Sequence, residues 1–310
     1  MNVVFFGTPD FAVPSFVRLS EERDVRVTLA VTQPDRPVGR HATLTPSPVA
    51  AEARARGVPL FQPARIRHDP EVVARIGAER PDALVVVAYG KIFPAELLAL
   101  APLGCVNVHA SLLPKYRGAS PIQAAILGGD DVTGVATMRM EEALDAGPVY
   151  AVRETAIAPG DTAGTLSSRL AGMGAALLAE TLAVLSRGSA VARPQEGEPT
   201  YCRTIRRADG EIDWSRPADF ILRMRRAYTP WPGIFTQLEG ERVKILEAHA
   251  GPSSIGNPPG AILSAAGEVQ IACGEGTSIV ATLVQREGRN PASGEEFRRG
   301  LRGAGERFGG

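Results

Sequence analysis

Along the first half of the chain, short apolar runs alternate with amphipathic segments. Val3–Phe6 is an unbroken apolar run closed by Gly7-Thr8-Pro9-Asp10, the composition of a tight turn. A helix is expected from Pro14 to about Ser20, and a strand over Val25–Thr32. Ser47-Pro48 opens a second helix, because Ser caps well and Pro is tolerated in the first turn; Gly57 closes it after Arg56. Pro70–Arg80 reads as a helix. Ala83–Ala88 reads as a strand apolar on both faces, as central strands of parallel sheets are. A short helix over Pro94–Leu100 and a strand over Gly104–His109 follow. This alternation predicts an α/β fold with a mostly parallel, doubly wound, Rossmann-like sheet.

Further on, Ser120-Pro121 starts a helix to Leu127, and Gly134–Met140 and Val149–Ile157 have strand character. A long helix is expected from about Leu166 to Ser186. Leu170, Met173, Leu177, Leu178, Thr181, Leu182 and Leu185 recur there at helical spacing, and Gly188 follows the end. Arg187–Thr200 is rich in Gly, Pro and polar residues and reads as a linker. The texture then changes. After a helix near Pro217–Ala227 come strand candidates at Gly233–Leu238, Arg242–His249, Gly260–Leu263, Glu268–Ala272 and Ser278–Leu283, with glycines in several turns. Short strands so spaced predict a small β-barrel. The expected organisation is a first domain over 1–188, a linker over 189–205 and a second domain over 206–310.

Composition narrows the class. The 310 residues are 44% hydrophobic and 22% charged, enough for two domains of ordinary globular make-up. No apolar stretch is expected to reach the length of a membrane span, and Met1-Asn2 leads straight into Val3 with no basic leader. A cytoplasmic protein without membrane partners is expected. Cys105, Cys202 and Cys273 are far apart and form no CxxC pair, so neither a disulfide framework nor a metal site is expected. Formal net charge is zero, which argues against nucleic-acid binding by bulk charge and leaves room only for local basic surfaces. Lys91, Lys115 and Lys244 are the only lysines; every other cation is Arg.

In an open parallel sheet, ligands bind beyond the C-terminal strand ends. Three polar clusters fall at such ends. In Asn107-Val108-His109-Ala110-Ser111, strand alternation would put Asn107, His109 and Ser111 on one face. Acyl transfer to an amine needs a donor to the developing oxyanion and a group that handles protons, which an Asn amide and an imidazole can supply. The competing reading is a strand end with a satisfied core histidine. Leu144-Asp145-Ala146-Gly147-Pro148 is either a common turn or a carboxylate brought beside His109. Phe6-Gly7-Thr8-Pro9-Asp10-Phe11 is neither a phosphate loop nor GxGxxG. It is a tight turn with Phe11 in the core, or Phe11 is a wall of a substrate pocket. His41, His68 and His249 share no metal-ligand spacing.

These residues carry a resemblance. Asn107-x-His109-x-Ser111-Leu112-Leu113-Pro114, Tyr116-Arg117-Gly118-x-x-Pro121-Ile122 and Asp145-x-Gly147-Pro148 together resemble the folate-dependent formyltransferase superfamily. Gln33-Pro34-Asp35-Arg36-Pro37-x-Gly39-Arg40, Ile212-Asp213-Trp214 and Ala227-Tyr228-x-Pro230-Trp231-Pro232-Gly233 narrow it to the methionyl-tRNA formyltransferase family. The resemblance implies a Rossmann-like domain followed by an OB-type barrel that binds tRNA. It also implies 10-formyltetrahydrofolate as co-substrate and initiator methionyl-tRNA as partner; a monomer is expected. The family's catalytic Asn, His and Asp fall on Asn107, His109 and Asp145, and its folate-contacting stretch on Ser111, Leu112, Leu113 and Pro114. Its tRNA-inserting loop falls on roughly 35–46, with Arg40 at the key arginine. Here the run after Arg40 is His41-Ala42-Thr43-Leu44, so the loop lacks the lysines the family often has. Phe11 is expected against the methionyl side chain, and Arg206 and Arg207 against tRNA phosphates. The rival readings are a formyltransferase for a small amine and a binding module without catalysis. A second domain with Arg203, Arg206, Arg207, Arg225 and Arg226 disfavours the first; the intact Asn107, His109 and Asp145 disfavour the second.

Overall fold

A computed structural model describes residues 1–38, 43–265, 268–301 and 307–309. The chain divides into two compact units. The first comprises Met1–Pro121, Val132–Ala156 and Ser167–Arg203, the second Ile122–Asp131, Ile157–Leu166 and Thr204–Gly310.

The elements up to residue 202 run β1 (Asn2–Gly7), α1 (Val13–Glu21), β2 (Arg26–Val31), β3 (Arg36–Val38), β4 (Thr43–Thr45), α2 (Pro48–Ala55), β5 (Leu60–Phe61), α3 (Pro70–Gly77) and β6 (Ala83–Val87). They continue with α4 (Ala95–Leu98), β7 (Cys105–His109), β8 (Arg117–Gly118), α5 (Pro121–Gly128), β9 (Val132–Arg139), β10 (Val149–Ala156), α6 (Ala163–Ser186) and β11 (Tyr201–Cys202). Seven strands form one sheet in the order β10-β9-β7-β6-β1-β2-β5. From β5 through β7 neighbours are parallel; β9 runs antiparallel to β7, and β10 antiparallel to β9. The mostly parallel Rossmann-like sheet expected from the sequence is present.

Strand alternation explains why apolar runs suit this sheet. Side chains of β1 go to opposite faces, so Val3 and Phe5 join one buried cluster and Val4 and Phe6 the other. The first cluster is closed by Phe16 and Leu19 of α1, Val49 and Ala53 of α2, and Leu178, Leu182 and Leu185 of α6. The second is closed by Val72 and Ile76 of α3 and Leu97 of α4. Both faces are covered by helices, the doubly wound arrangement. Helix starts follow their caps: the Ser47 hydroxyl accepts from the Ala50 N–H at 3.3 Å and the Asp69 carboxylate from the Val72 N–H at 3.3 Å.

One expectation fails here. By length and composition, the 24-residue α6 could cross a membrane, contrary to the reading that no stretch approaches a span. In this fold its leucine stripe is buried in the first cluster instead.

The second unit carries α7 (Ala218–Ala227), β12 (Ile234–Leu238), β13 (Glu241–Ala250), β14 (Ile262–Ala265), β15 (Glu268–Ala272), β16 (Ser278–Arg286), β17 (Ala292–Ser293) and α8 (Gly294–Arg299). The strands form an antiparallel half-barrel in the order β12-β13-β16-β15-β14, with β17 added on β16. The helix and five strands read from the sequence are all there. Unread were β17 and α8, which starts at a capping box between Ser293 and Glu296. Also unread was the segment Arg307–Gly309. Its Phe308 N–H donates to Gly260 O at 2.8 Å and its Gly309 N–H to Gln237 O at 2.9 Å.

Candidate active site

β7 ends in the middle of the first sheet, between β6 and β9. Val106 and Val108 point into the first core cluster. Alternation therefore sends Asn107 and His109 to the other face, at the C-terminal end of the parallel strands. Both are nearly buried, 9% and 6% exposed. Among the described residues, no hydrogen-bond partner is found for the Asn107 side-chain amide, which leaves it available to a ligand.

His109 has two defined neighbours. Its Nε2 lies 2.9 Å from the Tyr116 carbonyl oxygen. A carbonyl only accepts, so Nε2 carries a proton and donates it. Nδ1 faces Asp145, 3.8 Å from Oδ2. Nδ1 is thus the nitrogen free to take up or release a proton, beside a carboxylate.

Asp145 sits in a turn, as its sequence allowed, but with φ of +47°, a left-handed conformation uncommon for a non-glycine residue. Its Oδ2 also accepts from the Gly118 N–H at 2.8 Å. Gly118 itself has φ +116°, and a Cβ there would meet the Cys202 carbonyl oxygen at 2.1 Å, so only glycine fits. The close approach arises because β8 pairs in parallel with β11. Cys202, inside the 189–205 segment read as a linker, thus forms part of the wall around Asp145.

Ser111 is fully buried, but β7 ends at His109, so a turn rather than strand alternation sets its direction. Its hydroxyl donates to the Lys115 carbonyl at 2.5 Å, and the Lys115 N–H donates to Leu112 O at 3.0 Å. Leu112 and Leu113 are half-buried in this turn, and the Pro114 carbonyl accepts from the Thr200 N–H at 3.2 Å. Phe11 lies in a single helical turn, Asp10–Ala12, directly after β1, partly buried against the first core cluster.

The expected tRNA loop is an antiparallel hairpin, β3 against β4. Arg40 lies outside the described residues. The hairpin's base is anchored: Asp35 accepts from Gln62 Nε2 at 2.7 Å and from Arg54 at 3.0 Å. The Gln62 amide foremost, then Arg54, holds the Asp35 carboxyl below its ordinary range.

Arg206 and Arg207 belong to the second unit. The Arg206 backbone N–H donates to Asp209 at 2.6 Å. Arg207 lines a cavity of about 200 Å³ with Arg242, Lys244, Gln285, Arg286 and Glu287. Arg286 pairs with Glu241 at 3.3 Å, and the Arg242 guanidinium lies 4.5 Å from the Phe235 ring centroid. Among the described residues no ion pair is found for Arg207, Arg242 or Lys244, and Arg242 Nε is buried without a hydrogen-bond partner. Sequence reasoning missed Arg242 and Lys244, whose strand alternation gave the only signal. Cys105 is 1% exposed and packs in the second core cluster; burial pushes its thiol pKa up.

The formyl transferase sequence pattern matches residues 1–182, and the pattern of the formyl transferase C-terminal domain matches residues 204–302. The methionyl-tRNA formyltransferase of Xanthomonas axonopodis pv. citri (strain 306) is 46% identical over 300 residues, covering 96% of each chain. That of Anaeromyxobacter dehalogenans (strain 2CP-1 / ATCC BAA-258) is 44% identical over 306 residues, covering 97% of each. The chain belongs to the methionyl-tRNA formyltransferase family. A solved N-formyltransferase from Helicobacter canadensis, in complex with folinic acid and dTDP-3-aminofucose, shares the fold. Its TM-score is 0.65 at 16% identity, covering 90% of this chain and 98% of that one. Membership in this family fits a site in which one strand offers an amide and an imidazole beside a turn carboxylate.

Proposed function

We propose that this chain transfers the formyl group of 10-formyltetrahydrofolate to the α-amino group of methionine on initiator tRNA. The observation that carries this reading is the His109–Asp145 pair, 3.8 Å apart, with His109 on the strand face that also holds the unspent amide of Asn107. The amine attacks the formyl carbon directly, with no covalent intermediate on the enzyme. Asn107 donates to the formyl oxygen as it becomes an oxyanion. His109 and Asp145 take the proton the amine loses and return it towards the departing folate nitrogen. A free α-amino group has a pKa near roughly 8, so part of the substrate is already nucleophilic at neutral pH. The turn Ser111-Leu112-Leu113-Pro114, with Ser111 buried and the other three half-buried, borders the folate. Residues 1–188 act as the catalytic domain, 189–205 as the connection and 206–310 as the tRNA-binding domain, in a cytoplasmic monomer.

The direct test supplies 10-formyltetrahydrofolate with methionyl-charged initiator tRNA, or with an amino-sugar nucleotide, and identifies the formylated product. Formylmethionyl-tRNA is expected. Formylation of the sugar alone would move the reading to a small amine, and no turnover on either would leave a binding module.

Phe11 is read as a wall for the methionyl side chain. Phe11→Ala is expected to raise KM for methionyl-tRNA by about tenfold, the effect of losing a modest apolar contact, with kcat little changed. An unchanged KM returns Phe11 to a packing role. For tRNA, Arg40 and Arg206 are read as contacts, and Arg207 with Arg242 and Lys244 as a phosphate-binding groove. Each lost phosphate contact lowers the slope of log K against log salt by about one unit. Arg207→Ala combined with Arg242→Ala is therefore expected to flatten that slope by about two units. The wild-type slope in the double variant would assign these arginines to other work.

A further inference from the structure

The geometry points to Gln195 as the residue that positions Asp145 for the reaction proposed above, on which this inference rests. Asp145 holds a left-handed backbone. Such a conformation is unfavourable for a non-glycine residue and persists only where its surroundings impose it. The imposing group is the Gln195 side-chain amide. Its Nε2 donates to the Asp145 carbonyl and to the Gly147 carbonyl, both at 2.8 Å. Its Oε1 accepts from Arg117 Nε at 3.1 Å and Arg117 Nη2 at 2.7 Å. Guanidinium groups only donate and carbonyls only accept, so the amide has one possible orientation, and both its donor hydrogens and its acceptor oxygen are spent.

The clamp closes from other sides too. Gly147 is buried so tightly that a Cβ there would lie 1.9 Å from the Arg139 carbonyl oxygen. Two residues before Gln195, Arg193 exchanges backbone hydrogen bonds with Val149, both at 2.8 Å, which fixes the approach of the segment. Arg117, which grips the Gln195 oxygen, directly precedes Gly118, whose N–H grips the Asp145 carboxylate. One amide thus ties the backbone of the carboxylate-bearing turn to the strand that orients the carboxylate itself. Gln195 does not reach His109 in any of these contacts; its effect passes through Asp145.

The experiment compares Gln195→Leu, Asp145→Ala and the double variant in the formyl-transfer assay. It also follows hydrogen exchange of the Gly118 amide. Small misplacements of a catalytic group cost up to about 10²-fold in rate. Gln195→Leu is expected to lower kcat by up to that factor with KM for folate and tRNA held within about twofold. Added to Asp145→Ala it is expected to cost nothing further, because the residue it acts through is gone. Gly118 is expected to lose exchange protection in Gln195→Leu. Gln195→Glu keeps the Arg117 partner but offers no N–H to the two carbonyls, so it repeats the loss and serves if the Leu variant does not fold. Native kcat in both variants, a full additional loss on top of Asp145→Ala, or unchanged Gly118 protection overturns the assignment. If the native chain transfers no formyl group, the proposed function fails and the Gly118 exchange alone decides the clamp.

Discussion

Asp145→Asn is expected to lower the turnover of formyl transfer by about 10²–10³, and His109→Ala by at least as much, the usual cost of losing a proton-handling or charge-stabilising group. Asn is the sharper replacement for the aspartate. It tolerates left-handed backbone, where residue 145 has φ +47°, and its side-chain oxygen can still accept from the Gly118 N–H. The turn then survives and only the charge facing His109 is removed. His109 is 6% exposed and its Nε2 is bound to Tyr116, so alanine there leaves a small void as well. A thermal melt must accompany its assay. Single-turnover rates with saturating methionyl-tRNA and formyl-folate read the chemical step. Near-native turnover in Asp145→Asn would reduce the carboxylate to a cap on the Gly118 amide.

The parts of this site visible in the sequence were those whose position depends on local pattern. Asn107 and His109 fall on one face because a strand alternates, and Val106 and Val108 confirm the register by facing the core. Asp145 in a small-residue turn was equally local. Alternation does not extend to Ser111, because it stops where β7 ends at His109. Gln195 had no such signal. Its partners Asp145 and Arg117 lie 50 and 78 residues away, and a glutamine in a Pro- and Gly-rich stretch looks like solvent-facing linker. Topology, not periodicity, brings them together.

The same contrast governs the fold. Ala83–Ala88 reads as a central strand because a helix-covered parallel strand is apolar on both sides, and β6 does lie inside the sheet with its two faces in separate clusters. The hairpin β3–β4 does not announce itself, since its strands are three residues each, too short to establish a period, and all of Thr43–Thr45 is exposed. The long helix α6 misled in the other direction. Its leucines are numerous enough for a membrane span, and only the sheet face they cover shows where that surface is buried.

Phe308→Ala is expected to destabilise the second unit by about 3–5 kcal/mol, the range for truncating a buried Phe. Nothing in the local sequence marks this residue, yet it is 1% exposed. Its ring stacks with Trp214, centroids 5.8 Å apart, and with Phe297 of α8 at 6.2 Å. Its backbone matters as much. β12 and β14 are the edges of the half-barrel, and unpaired edges leave N–H and carbonyl groups unsatisfied. The segment Arg307–Gly309 covers both, bonding Gly260 beside β14 and Gln237 of β12. Loss of the ring removes the anchor that holds this backbone against the two edges, so the cavity and the reopened edges act together. Both tryptophans of the chain, Trp214 and Trp231, lie in the second unit, and Trp214 is the buried one. Denaturant unfolding followed by tryptophan fluorescence therefore reports this unit directly. Phe308→Leu, which keeps most of the volume, should recover over half of the loss. A midpoint unchanged in Phe308→Ala would mean that the edges are held without this segment.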